Sequence, residues 1–143
     1  MRMKTWIAAT LLFALALPAA AGSIRVGDLR VHFNALPSTE LTPEVARQYG
    51  ITRSANRALL NVSVRRGEPG ADVAVPATVR AVATNLAGQR NTVAMREVRD
   101  GEALYYLGEA RVSGQDTLTF ELEIIVQGQA PMSAVFKQEF FPQ

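Results

Sequence analysis

The chain has 143 residues, of which 15 are Lys or Arg, 13 are Asp or Glu, one is His and none is Cys. The lack of Cys excludes disulfides, a thiol nucleophile and any thiolate metal site, so a secreted domain of this size must stand on an apolar core. With Arg2 and Lys4 assigned to an N-terminal leader, 13 basic residues face 13 acidic ones. A chain so balanced offers no basic face to displace counterions from nucleic-acid phosphates.

Arg2 and Lys4 precede an apolar run from Trp6 to Leu17, which ends at Pro18 and the small residues Ala19, Ala20 and Ala21. The pattern reads as a cleaved secretory signal over residues 1–21. Its apolar run is shorter than the ~20 residues a membrane-spanning helix needs. The mature chain, residues 22–143, is expected in the periplasm as a single domain with no membrane span.

Leu29, Val31 and Phe33 alternate with Arg30, His32 and Asn34, the period of a strand with one buried face. Thr42, Pro43 and Glu44 then give the cap, first-turn proline and favourable dipole charge of a short helix. Gly50 ends it, and Ile51 is placed for the hydrophobic contact of a left-handed cap. Thr52 to Arg57 form a polar bridge into a strand in which Ala58, Leu60, Val62 and Val64 face inward.

After a turn at Gly67 to Gly70, the small inward face Ala77, Val79, Ala81 and Ala83 predicts close approach of a second layer, with the helix as its expected source. Asn85 to Gln89 reads as a hairpin connection. Thr92 to Val98 is expected as one strand, turned by Asp100-Gly101 into Ala103 to Val112. Thr117 to Gln127 alternates most cleanly. It buries Leu118, Phe120, Leu122, Ile124 and Val126 at ~1.5–3 kcal/mol each, as a central strand does. A last strand covers Ala134 to Phe141. About seven strands in hairpin spacing, with one short helix between early strands, predict an all-β, single antiparallel β-sandwich of immunoglobulin-like type.

Catalytic patterns are missing. No nucleophile elbow, Ser-x-x-Lys pair or phosphate-cradling glycine loop occurs. His32 falls on a polar strand face, and a lone imidazole without Cys makes no zinc site. Glu97, Asp100 and Glu102 lack the spacing of a calcium loop. Glu121 and Glu123 share a strand face, the ordinary solvated arrangement. Neither a metal nor another cofactor is expected. The remaining candidate is Arg47, Arg53, Asn56 and Arg57, gathered around the helix exit as a binding surface.

Several stretches carry a resemblance: Val31-His32-Phe33-Asn34-Ala35, Leu41-Thr42-Pro43-Glu44-Val45-Ala46, Tyr49-Gly50-Ile51 and Leu60-Asn61-Val62-Ser63-Val64. Arg53-Ser54, Asn56-Arg57, Arg96-Glu97-Val98-Arg99-Asp100-Gly101 and Ala103-Leu104-Tyr105-Tyr106 extend it. In this order they resemble the proteobacterial family designated domain of unknown function 4426. The resemblance implies a periplasmic protein and brings no catalytic residues. The function expected is a non-catalytic binding or accessory module acting on an envelope protein. The alternatives are a carrier of a small apolar ligand between the sheets and, third, a hydrolase.

Overall fold

The structure, a computed structural model, describes residues 21–141. The expected signal therefore lies outside the described residues apart from Ala21, which opens the first strand. Ten strands form two antiparallel sheets among these residues. In chain order they are β1 (Ala21–Val26), β2 (Leu29–Pro37), β3 (Arg57–Arg66), β4 (Val73–Ala74), β5 (Thr78–Thr84), β6 (Arg90–Val93), β7 (Arg96–Asp100), β8 (Ala103–Arg111), β9 (Asp116–Ile125) and β10 (Met132–Phe140). A 3-10 turn, Ser38–Glu40, and the helix α1, Pro43–Tyr49, lie between β2 and β3.

The larger sheet runs β1-β2-β3-β8-β7, with β4 paired to β3, and the smaller runs β10-β9-β5-β6. Their inner faces carry the alternating apolar residues. Phe120, Leu60, Val31, Val62 and Ile124 have no solvent-accessible surface. The Phe136 ring sits 4.8 Å from Phe33 and 5.1 Å from Phe120, so one aromatic stack joins β2, β9 and β10 across the sheets. The chain is an all-β sandwich with one short helix, as the alternation predicts.

The helix follows its local signals. Thr42 Oγ1 accepts from the Val45 N–H at 3.2 Å, and Gly50 takes φ of 70°. The Gly50 and Ile51 N–H groups then close onto the Arg47 and Ala46 carbonyls. A helix this short needs a docking surface. It finds one on the outer face of the larger sheet, where Ala46 and Ile51 pack with Leu59 and Leu107 in a second apolar cluster. The expectation that the helix covers the Ala81 and Ala83 face is therefore corrected. Those alanines belong to the core between the sheets.

The expected continuous strand Thr92 to Val98 is also corrected. β6 pairs with β5 in the smaller sheet, whereas β7 pairs with β8 in the larger one. The chain changes sheets at Ala94 and Met95. The apolar phase slips at the switch: Val93 and Met95 face the core between the sheets, whereas Val98 packs against the outer cluster with Leu107. The switch crosses Gly108 of β8, where an added Cβ would lie 2.5 Å from Met95 Sδ, 2.6 Å from Val93 Cγ1 and 3.0 Å from the Ala94 carbonyl. This split, together with β1 and β4, accounts for ten strands where about seven are expected.

Candidate functional site: a cleft at the sheet switch

Because β7 leaves β8 early, the sandwich is open along one seam. Arg96↔Leu107 is the last register pair between β7 and β8, while β3 follows β8 to Arg57↔Arg111. Opposite this gap stands β6, the edge strand of the smaller sheet. Between them lies a cleft of about 690 Å³. Ala83, Val93, Ala110 and Leu118 form its apolar floor, and Ser54, Asn56, Asn85, Gln89, Asn91 and Thr92 line its polar rim. Arg57, Glu109 and Arg111 complete it.

Backbone geometry adds to these side chains. The Val112 N–H donates to the Asn56 carbonyl at 2.9 Å. Antiparallel pairing alternates the direction of the peptide groups along a strand. The N–H and C=O groups of Glu109 and Arg111 are thereby aimed away from β3, into the gap. On the other wall, the Asn85 N–H donates to the Gln89 carbonyl at 3.1 Å, and the same alternation turns the peptide groups of Thr92 off β5.

Electrostatically the cleft carries one uncompensated charge. Arg57 pairs with Glu109 at 3.2 Å. Arg111, its register partner on β8, is exposed and makes no ion pair among the described residues. Like charges directly opposite on neighbouring strands repel, and the Glu109 carboxylate compensates only one of the two.

The four residues proposed from sequence are thus separated. Asn56 and Arg57 line the cleft. Arg53 instead donates to the carbonyls of Leu41 at 2.6 Å and Thr39 at 3.0 Å, stapling the bridge to the helix entry. Arg47 is exposed on α1, outside the cleft lining. Sequence reading missed Glu109, Arg111 and Gln89, which only the sheet switch brings together. The one signal was the Arg57–Arg111 separation within two strands, which carries no register by itself.

Other candidates resolve into structural pairs. Glu121 bonds Arg90 at 2.6 Å and Glu123 bonds Arg80 at 3.1 Å on the outer face of the smaller sheet. Glu97 bonds Arg99 at 2.7 Å. The Tyr49 hydroxyl donates to Asp100 Oδ2 at 2.8 Å, and this bond to a carboxylate, with burial second, raises the Tyr49 pKa above its usual 10.0.

A family model described as domain of unknown function (DUF4426) matches residues 23–143. The chain belongs to the DUF4426 family. A DUF4426 family protein from Pseudomonas aeruginosa PAO1, known from a crystal structure, is 31% identical. It superposes with a TM-score of 0.71 over 87% of this chain and 97% of that one. FetP of uropathogenic Escherichia coli strain F11, recombinantly expressed in the periplasm of Escherichia coli BL21(DE3), shares the fold at 11% identity and a TM-score of 0.63, covering 88% of this chain and 97% of its own. A copper-bound FetP variant does so at 10% identity and a TM-score of 0.61, covering 87% and 92%. No curated protein matches the chain. Among the described residues, no helix is long and apolar enough to cross a membrane.

Proposed function

We propose that this DUF4426 chain is a non-catalytic binding or accessory module of the bacterial envelope, working through protein–protein contacts at the seam cleft. The observation that carries this reading is the pair of unpaired strand edges that face each other there, on β8 beyond Leu107 and on β6. Exposed edges are templates for another chain. Amide side chains and arginines on the rim supply hydrogen bonds, and the small apolar floor supplies burial.

Nothing in the cleft supports carrying copper binding over from the FetP variant. Among the described residues, no group of three or more His, Cys, Asp or Glu side chains comes together to hold a metal ion. The sole histidine, His32, lies exposed on the outer face of β2. A carrier of an apolar ligand is less well supported, because Phe120, Leu118, Ile124 and Leu60 fill the space between the sheets. The hydrolase reading has no nucleophile–base pair in the cleft to support it. Periplasmic placement is supported by the signal-like N-terminus and by the fold shared with FetP, which was expressed in the periplasm.

The test is site-directed photo-cross-linking in the native envelope, from Gln89 on the cleft rim and from Val135 on the exposed far face. One discrete partner captured from Gln89 alone, and lost in the Asn56→Ala, Arg57→Ala double variant, is the expected result. Equal capture from both positions would sink the cleft as the working surface. Intact-mass measurement of the exported protein should give a start at Gly22 or Ser23.

A further inference from the structure

The cleft reading rests on unpaired edges, and its geometry narrows the partner further. We propose that the occupant is an extended peptide segment carrying an acidic side chain, which adds to β8 as a short antiparallel strand in the line that β7 vacates.

Three features converge on this. First, β8 continues beyond its last β7 pair, Arg96↔Leu107, while β3 still supports it on the other side. The peptide groups of Glu109 and Arg111 point into the gap and offer two N–H donors and two C=O acceptors to a partner backbone. Gly108 itself is covered by the Ala94–Met95 crossover, so the added strand pairs with Glu109, Ala110 and Arg111. Three residues span ~10 Å at the usual strand rise, and the cleft of about 690 Å³ accommodates them with their side chains.

Second, the side-chain faces are set by this register. The central peptide residue lies opposite Ala110 and shares its inward face, over Val93 and Leu118 on the floor. A compact apolar side chain such as valine suits it. The flanking residues lie opposite Glu109 and Arg111 and point outward.

Third, the charges choose between those two. Glu109 is neutralised by Arg57 at 3.2 Å, whereas Arg111 has no ion pair among the described residues. The acidic residue therefore belongs opposite Arg111. Because the added strand runs antiparallel to β8, it precedes the valine in sequence. Backbone pairing supplies the affinity in such strand addition, and the alternate side chains supply the choice of sequence.

The probe is a blocked, fluorescently labelled peptide, Thr-Glu-Val-Thr-Thr, titrated against the mature protein by anisotropy, with amide hydrogen exchange read residue by residue. Saturable binding that slows exchange of the Glu109 and Arg111 amides is the expected result. N-methylation of the peptide at its Glu and at the Thr after Val should weaken binding at least tenfold, because those two N–H groups face β8. Arg111→Glu should weaken the same peptide at least tenfold and reverse the preference toward Thr-Lys-Val-Thr-Thr. Arg111 is exposed, so unchanged circular dichroism is expected for this variant, and Arg111→Gln serves as a milder second one. Equal binding of the methylated peptide, protection confined to residues outside β8, or dimerisation of the protein through this edge would overturn the proposal. Cleft cross-linking to a partner in the envelope, with no peptide binding here, would overturn strand addition and leave the broader cleft reading standing.

Discussion

Ser38 and Ser54 hold each other twice. The Ser38 hydroxyl accepts from the Ser54 N–H at 2.9 Å and donates to the Ser54 carbonyl at 3.0 Å. Ser38 is fully buried and Ser54 half-buried, so one side chain satisfies two backbone groups with little access to water. The pair pins together the two ends of the insertion that carries α1. It thereby sets the bridge from which Asn56 and Arg57 enter the cleft.

Removing that hydroxyl leaves a half-buried N–H and carbonyl without their partner, and an unsatisfied buried group costs ~1–3 kcal/mol. Ser38→Ala should therefore lower unfolding stability by that amount in urea titration. Arg53→Ala removes hydrogen bonds that water replaces, so its cost should be ~1 kcal/mol or less. A larger loss at Arg53 than at Ser38 would mean that the guanidinium staple, not the buried serine, holds the insertion.

The sheet switch makes a second test. Gly108 has no positive φ, so its requirement is space, not backbone freedom. Gly108→Ala gains ~0.4–1 kcal/mol by restricting the unfolded chain, whereas overpacking at a buried crossing costs ~1–3 kcal/mol. The net effect should be destabilising. Shortening Val93, whose Cγ1 is among the obstructing atoms, should recover part of the loss in a Gly108→Ala, Val93→Ala double variant relative to additivity. Strict additivity of the two losses in denaturant melts would show that the crossing does not press on Gly108.

In the core, β9 separates its two faces by residue. Phe120 is fully buried, while Thr119 faces outward between Lys137 and Thr84 in the register. Phe120→Ala should cost ~3–5 kcal/mol and Thr119→Ala within about 0.5 kcal/mol, by the same melts. Similar losses at both positions would contradict the register.

How far sequence reaches is visible in these same residues. Thr42, Pro43 and Gly50 act through bonds within a few residues, so the helix bounds were legible. β9 was legible because strict alternation has one interpretation when turns flank it. The helix's docking face was harder. Leu59 and Leu107 break the polar face of their strands, a sign that something covers them, yet nothing local says that the cover is α1. The change of sheet at Ala94 and Met95 left only one local trace, the slip from Val93 and Met95 to Val98, and the residue that makes room for it, Gly108, belongs to another strand. The cleft inherits that limit. Asn56 and Arg57 could be named from the bridge, but Arg111 becomes their neighbour only through the β3–β8 register.

The last test concerns charge at the far side of the helix. Tyr49 reaches over Tyr105, with ring centroids 6.5 Å apart, to donate to Asp100. The Arg96 guanidinium meanwhile donates to the Tyr49 carbonyl. Ionising Tyr49 destroys the donor and sets two negative charges together, so the folded-state pKa lies above the unfolded value of 10.0. A raised pKa means that the folded state holds its proton longer, and the contribution to stability is complete below pH 10. It is lost as pH climbs through the folded value. Tyr49 is half-buried but its bond to Asp100 lies at the surface, so the effect on stability should be small. Ultraviolet titration of tyrosinate is the sharper measurement. It should contain a component above pH 10 that disappears in Tyr49→Phe and moves down toward the ordinary value in Asp100→Asn. If Asp100→Asn leaves that component in place, the carboxylate is not its cause, and the contact between α1 and the β7–β8 turn is made some other way.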